Sequence, residues 1–115
     1  MKDELDIAWA AGILEGEGCF GFYKVKNHSY KQILIRCKMT DNDIILRLQS
    51  IFGGYIRPRK PKKETNKPLW EWSLYKQADV AVVILKILPY LGIRRSAKAK
   101  ELLAYIDSRK KPNEG

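Results

Sequence analysis

The stretch Trp9-Ala-Ala-Gly-Ile-Leu-Glu-Gly-Glu-Gly-Cys-Phe20 constrains this chain more than any other. It opens as a helix and closes with two acids set between glycines. Ala8, Ala11 and Gly12 are spaced i, i+3, i+4 and are expected to share one face of that helix. A face without bulk lets a second helix approach closely. Glu15 and Glu17 then fall where Gly16 and Gly18 are expected to release the chain from the helix. Negative charge at a helix C-terminus opposes the macrodipole by about 0.3–1 kcal/mol. Acids kept there call for a compensating cation, either a metal or a basic side chain. The plainer alternative is a helix end with two solvated glutamates.

Taken in order, the chain predicts helix, hairpin, helix, hairpin, and a helical C-terminal part. A first helix over residues 4–15, capped by Asp3, leads into a β-rich aromatic run from Cys19 to Lys26. A turn at Asn27-His-Ser29 precedes a second strand, Lys31 to Thr40. That strand alternates, with Ile33, Ile35, Cys37 and Met39 on one side and Gln32, Leu34, Arg36 and Lys38 on the other. Thr40-Asp-Asn-Asp43 signals a helix start, and Ile44, Ile45, Leu48, Ile51 and Phe52 form its apolar stripe until Gly53-Gly54. Tyr55 to Lys60 reads as a third strand with Tyr55, Arg57 and Arg59 on one face. A basic turn over 61–68 leads to a fourth strand, Leu69 to Leu74, with Trp70, Trp72 and Leu74 opposite Glu71 and Ser73. An apolar helix from Ala78 to Leu88 stops at Pro89, and a last helix runs from about Arg95 to Ser108. No linker or low-complexity segment divides residues 1–110, which read as one domain with a polar tail over 111–115. Four antiparallel strands with helices on one face define an α+β fold.

Charge bears on the partner. With 22 basic and 13 acidic residues the net charge is +9, an excess that favours a polyanion, because binding to phosphates releases counterions. The charged start Met1-Lys-Asp-Glu4 lacks the apolar segment of a secretory signal, and no apolar run approaches the ~20 residues that span a bilayer. An intracellular protein with no membrane partner, cytoplasmic or nucleoid-associated, is expected. Two cysteines, Cys19 and Cys37, make neither a disulfide framework nor a zinc spacing, and one histidine, His28, does not complete a Cys/His metal set.

The outward sheet face is expected to carry Gln32, Arg36, Lys38, Tyr55, Arg57, Arg59, Glu71 and Ser73. A largely basic face of this kind suits a DNA major groove, which admits a β-ribbon and whose guanines accept bidentate arginine contacts. An ordinary solvent face of an antiparallel sheet alternates in the same way.

Ala10-Ala-Gly-Ile-Leu-Glu-Gly-Glu-Gly18 resembles the LAGLIDADG motif of homing endonucleases in its Glu-Gly-Glu-Gly form. Ala10 stands where the family usually has leucine, and Glu17 where it most often has aspartate. Two further segments are similar to the family: Met39 to Ile56, like the segment after the first hairpin, and Leu88 to Lys100, like the start of the final helix. The resemblance therefore covers nearly the whole chain.

It implies an αββαββα fold whose four-stranded antiparallel sheet forms a concave DNA-binding face with the helices packed behind. It further implies a site-specific double-strand DNA endonuclease. Since there is one motif, the chain is similar to the single-motif members, which act as homodimers on pseudo-palindromic sites. Pairing through Ala8, Ala11 and Gly12, with Glu15 supporting the helix end, would bring two Glu17 residues together at the dyad. Glu17, aided by the Gly16 carbonyl and DNA phosphates, is expected to bind Mg²⁺, with Mn²⁺ as a substitute. Arg94 matches the basic residue at the start of the last helix that stabilises transition-state charge, and Asp41 a polar residue that orients water. Tyr23 and Arg95 join the residues expected to touch DNA. Two other functions fit the same fold: a DNA-binding protein that no longer cuts, such as a repressor, and an intron maturase that binds structured RNA. A small basic scaffold protein is the remaining alternative.

Overall fold

The computed structural model describes residues 3–60 and 67–109. Most of the basic turn expected over 61–68, and the C-terminal tail over 111–115, lie outside the described residues. The elements are α1 (Glu4–Glu17), β1 (Gly18–Lys24), β2 (Lys31–Met39), α2 (Asn42–Phe52), β3 (Tyr55–Arg59), β4 (Leu69–Leu74), α3 (Gln77–Ile87), a 3₁₀ turn (Leu88–Tyr90) and α4 (Ile93–Ser108). The four strands form one antiparallel sheet in the order β1-β2-β4-β3. The two hairpins thus lie side by side, with β1 and β3 on the outer edges.

Alternation decides which face is buried. Phe20, Ile33, Ile35, Cys37, Trp72 and Leu74 point to the helices and are buried. They meet Ala10, Ala11 and Leu14 of α1, Ile45 and Leu48 of α2, Val80, Val83, Ile84 and Ile87 of α3, and Ala99 and Leu102 of α4 in one core. All helices therefore lie behind the sheet, which leaves its front open. Trp72 is fully buried, so its indole N–H needs a partner, and it donates to the Gly53 carbonyl at 2.7 Å. The turn that delivers this carbonyl requires glycine: Gly53 and Gly54 have φ of 72° and 99°. A Cβ on Gly54 would also stand 2.7 Å from the Ser73 carbonyl oxygen.

The start of the chain departs from expectation in one respect. Asp3 does cap α1, accepting the Asp6 N–H at 2.9 Å, but the helix continues to Glu17, so both acids lie within its last turn. Gly16 is an exposed helical residue with open space around its Cα, and it does not release the chain. Gly18 does. There a Cβ would approach the Leu14 carbonyl oxygen to 2.6 Å, so only glycine allows the helix to turn directly into β1. At the other end α4 begins at Ile93, two residues earlier than expected.

Candidate nucleic-acid interface

The open face of the sheet is shaped by register. Cross-strand pairing sets Cys19 beside Arg36, Arg36 beside Ser73 and Ser73 beside Tyr55, one row across all four strands. A second row holds Lys38, Glu71 and Arg57, and Arg59 lies beyond it opposite Leu69. In the other direction follow Gly21 with Leu34, then Tyr23 with Gln32. Cys19, Gly21, Tyr23, Gln32, Leu34, Arg36, Arg57, Arg59, Glu71 and Ser73 of these rows line a groove of about 570 Å³, with Lys38 and Tyr55 on the same face at its margins. Lys38, Tyr55, Arg57 and Arg59 are exposed along it, and Gln32 and Arg36 are half-buried.

Glu71 needs a different role from the one its face suggests. It is 4% exposed, and its carboxylate is held between two cations from the flanking strands. Arg59 Nη2 lies 3.0 Å from Glu71 Oε2, and Lys38 Nζ 3.8 Å from Oε1. Oε1 is buried and accepts no hydrogen bond among the described residues. A carboxylate at the floor, beneath its arginine and lysine, does not present itself to a polyanion; it orients the groups that do. Ser73, 6% exposed, is likewise part of the floor.

Two of the candidate catalytic residues flank one end of the sheet. β1 enters the sheet at Gly18, paired with Cys37, and β2 leaves it two residues later at Met39. Glu17, just before β1, and Asp41, just after β2, therefore flank the same sheet end. Asp41 occupies the N-cap position of α2, yet its side chain makes no capping hydrogen bond. Arg94 stands at the start of α4, which is tied to the end of α1, beside a separate hollow lined with Arg95, Ala97, Lys98 and Glu101. The Gly92 N–H donates to Glu15 Oε1 at 2.5 Å, and Arg95 Nε donates to the Glu15 carbonyl at 3.2 Å. Glu15 is thus a bracket between two helix termini, and Arg95 is spent on the same bracket: it is not among the residues that line the groove.

Glu17 is exposed at the C-terminal end of α1, with no basic residue in the last turn to offset it. It is close enough to Cys37 to help raise that thiol, after the larger effect of burial, to about 11. Among the described residues no group of three or more His, Cys, Asp or Glu side chains could hold a metal. One exposed carboxylate and a neighbouring carbonyl suit a hard divalent cation whose remaining positions are filled by phosphate oxygens and water.

The small-residue face of α1 is also corrected. Ala11 is fully buried in its own chain, against the core, and cannot meet a partner. The exposed face is instead Leu5, 80% exposed, with Gly12 and Gly16, and half-buried Ala8 beside them. A Cβ added at Gly12 or Gly16 would meet nothing within 4 Å. Next to the α1 end, Ile93 is 94% exposed at the start of α4. Reading the helix one residue out of phase caused the difference.

Several groove residues were not expected from the sequence. Tyr75 lines the groove with Leu34, Gly21 and Cys19. Continuing the alternation one step past Ser73 gives Tyr75, so the signal was present. Gly92, by contrast, carries none, because its role is a backbone N–H.

No protein-family profile matches the chain. It is similar to DNA endonuclease I-CvuI of Chlorella vulgaris, 29% identical over 121 residues that cover 98% of this chain and 70% of the relative. The fold is similar to the crystal structure of homing endonuclease I-CvuI in complex with its target in the presence of Ca, with a TM-score of 0.74 and 25% identity, covering 90% of this chain and 67% of that one. The group I intron-encoded homing endonuclease I-CeuI, complexed with DNA, superposes with a TM-score of 0.70 at 13% identity over 93% of this chain and 56% of that one. LAGLIDADG homing endonuclease I-GzeII in complex with its DNA target gives 0.68 at 17% identity, over 88% of this chain and 35% of that one. These last two likenesses concern the fold. With its Glu-Gly-Glu-Gly helix end, the four-stranded sheet it feeds and a relative matching along nearly its whole length, the chain is similar in sequence and fold to the LAGLIDADG homing endonucleases.

Proposed function

We propose that this protein is a homing endonuclease that cuts both strands of a long pseudo-palindromic DNA site as a homodimer, with a divalent metal. The single observation that carries this reading is the placement of Glu17: an exposed acid at a helix end, level with the Lys38, Glu71 and Arg57 row of a basic groove. An enzyme that hydrolyses a phosphodiester needs an electropositive track for the backbone and a carboxylate where the scissile phosphate passes. I-CvuI, the relative named above, supports the DNA substrate, and its complexes in Ca and in Mg support a divalent cation.

In this reading the groove lies in the major groove, where Arg57 and Arg59 offer paired donors to guanine and Glu71 holds Arg59 and Lys38 in place. Glu17 and the Gly16 carbonyl are the metal ligands, and Mg²⁺ fits them best, with Mn²⁺ as a substitute. When bound, such a metal polarises the phosphate and lowers the pKa of its water. Arg94 stabilises the charge that builds on the phosphate oxygens, and Asp41 orients the attacking water. One chain has one such site, while a duplex has two strands. Two copies packed along Ala8, Gly12 and Gly16 of α1, with Leu5 and Ile93 at the margins, bring two sites to the dyad.

The test uses purified protein, randomised duplex sites and Mg²⁺, with sequencing of bound and of cut DNA, beside Glu17→Gln. Paired nicks on opposite strands of a pseudo-palindrome, lost in the variant, are expected. Enrichment of a palindrome without cutting would instead indicate a binding protein such as a repressor. Enrichment of structured RNA over duplex DNA would indicate a maturase.

A further inference from the structure

The groove is chemically divided along its length. Its end level with Glu17 holds Lys38, Arg57 and Arg59 around the buried Glu71. Its other end carries no acid and is floored by Gly21 and Leu34, a cross-strand pair in which one partner has no side chain and the other is apolar. Tyr23 of edge strand β1 and Tyr75, just past β4, line this end with them. Tyr55 of edge strand β3 stacks on Tyr75 with ring centroids 5.2 Å apart and planes inclined by 16°. Their hydroxyls are hydrogen-bonded, which raises the Tyr75 phenol, and Tyr23 of the other edge strand is near enough to raise it further. Of the stacked pair, Tyr75 lines the groove, beside Leu34 and Gly21.

We propose that this tyrosine end reads thymine by its C5-methyl group, and that Tyr75 is the residue that sets this preference. The inference rests on the reading that the groove lies in a DNA major groove. There the methyl is the one apolar mark on a base edge, and it distinguishes thymine from every other unmodified base. Gln32, paired with Tyr23, is the polar side chain of this end, whereas the Tyr75 ring over a leucine and a glycine can desolvate a methyl. The arginine end has the opposite competence. Each half-site is therefore read as guanine near the cut and thymine farther out.

The experiment measures equilibrium binding in Ca²⁺ to the site selected above, with deoxyuridine replacing thymine one position at a time. Deoxyuridine keeps every hydrogen-bonding group and removes only the methyl. For the unaltered protein, one or two outer positions of each half-site are expected to lose about fourfold in affinity, the effect of one buried methyl. Tyr75→Ser should bind thymine and deoxyuridine sites alike, while Tyr75→Phe, which keeps the ring, should keep the difference. Equal binding of all deoxyuridine duplexes by the unaltered protein would overturn the proposal, with or without a folded variant. So would a methyl effect that survives in folded Tyr75→Ser. If the unaltered protein selects no duplex at all, DNA reading itself fails and the proposal falls with it, a result distinct from selection without methyl sensitivity.

Discussion

Glu15 and Gly92, seventy-seven residues apart, are joined by a hydrogen bond of 2.5 Å from the Gly92 N–H to the Glu15 carboxylate. The contact fixes the angle between the end of α1 and the start of α4, and with it the position of Arg94 relative to Glu17. Glu15→Ala removes a charge-assisted bond and is expected to cost ~1–2 kcal/mol of stability, measured by denaturant unfolding. Its effect on cutting should exceed its effect on DNA binding in Ca²⁺, because the groove itself is built by the strands. Gly92→Ala, whose Cβ would stand 3.2 Å from Glu15 Oε1, should act in the same direction but more weakly.

Arg94 is exposed and, among the described residues, is in no ion pair that would make it structural. Arg94→Ala should therefore leave folding and Ca²⁺-supported binding near those of the unaltered protein. Cleavage in Mg²⁺ should fall by about a hundredfold to a thousandfold, as when a transition-state donor is removed. Single-turnover rates on a selected site check this, and an equal loss in binding would reassign Arg94 to DNA affinity.

Glu71 neutralises Lys38 and Arg59 from beneath. Glu71→Gln frees both cations, so binding to random duplex should tighten while discrimination between the selected site and random DNA narrows. A steeper decline of non-specific affinity with salt is the expected signature, since more charge is available to phosphates. Titrations at several salt concentrations would reveal it.

Ala11 and Gly12 are adjacent in sequence and project about 100° apart around the helix, Ala11 buried and Gly12 exposed, so substitutions at the two positions separate folding from assembly. Ala11→Leu overpacks a fully buried position and is expected to cost ~1–3 kcal/mol in the chain itself. Gly12→Leu meets nothing within its own chain. It should leave the fold of each copy intact and shift sedimentation from dimer to monomer. A Gly12→Leu protein that stays dimeric would place the subunit contact elsewhere.

The two cysteines should differ in reactivity. Cys19 is exposed, whereas burial, and then the Glu17 carboxylate, push Cys37 up to about 11. At mildly alkaline pH iodoacetamide is expected to modify Cys19 and spare Cys37 in the folded protein, as mass spectrometry would read. The sign for stability follows. A thiol raised above its ordinary 9.0 favours the folded state fully below that value, and the contribution is lost as pH climbs from 9.0 towards 11. Glu17→Gln removes the lesser cause and should lower Cys37.

Periodicity by itself determined the elements of this protein. Ile33, Ile35 and Cys37 against Gln32, Arg36 and Lys38 identify a half-buried strand whatever surrounds it, because side chains alternate across a pleated backbone. Gly53-Gly54 ends α2 for an equally local reason, a backbone conformation that other residues resist. The acidic helix end and the basic sheet face were legible for the same cause. What only the tertiary structure decided was depth and direction. Glu71 has the same alternation as Arg57, but its place on central strand β4, flanked by β2 and β3, puts it under the cations rather than among them. Ala11 shares its chemistry with Ala8, and a rotation of one residue about α1 sends it into the core. Glu15 and Gly92 meet because two helices converge, and a backbone N–H gives no sign in a sequence of the acid it will find.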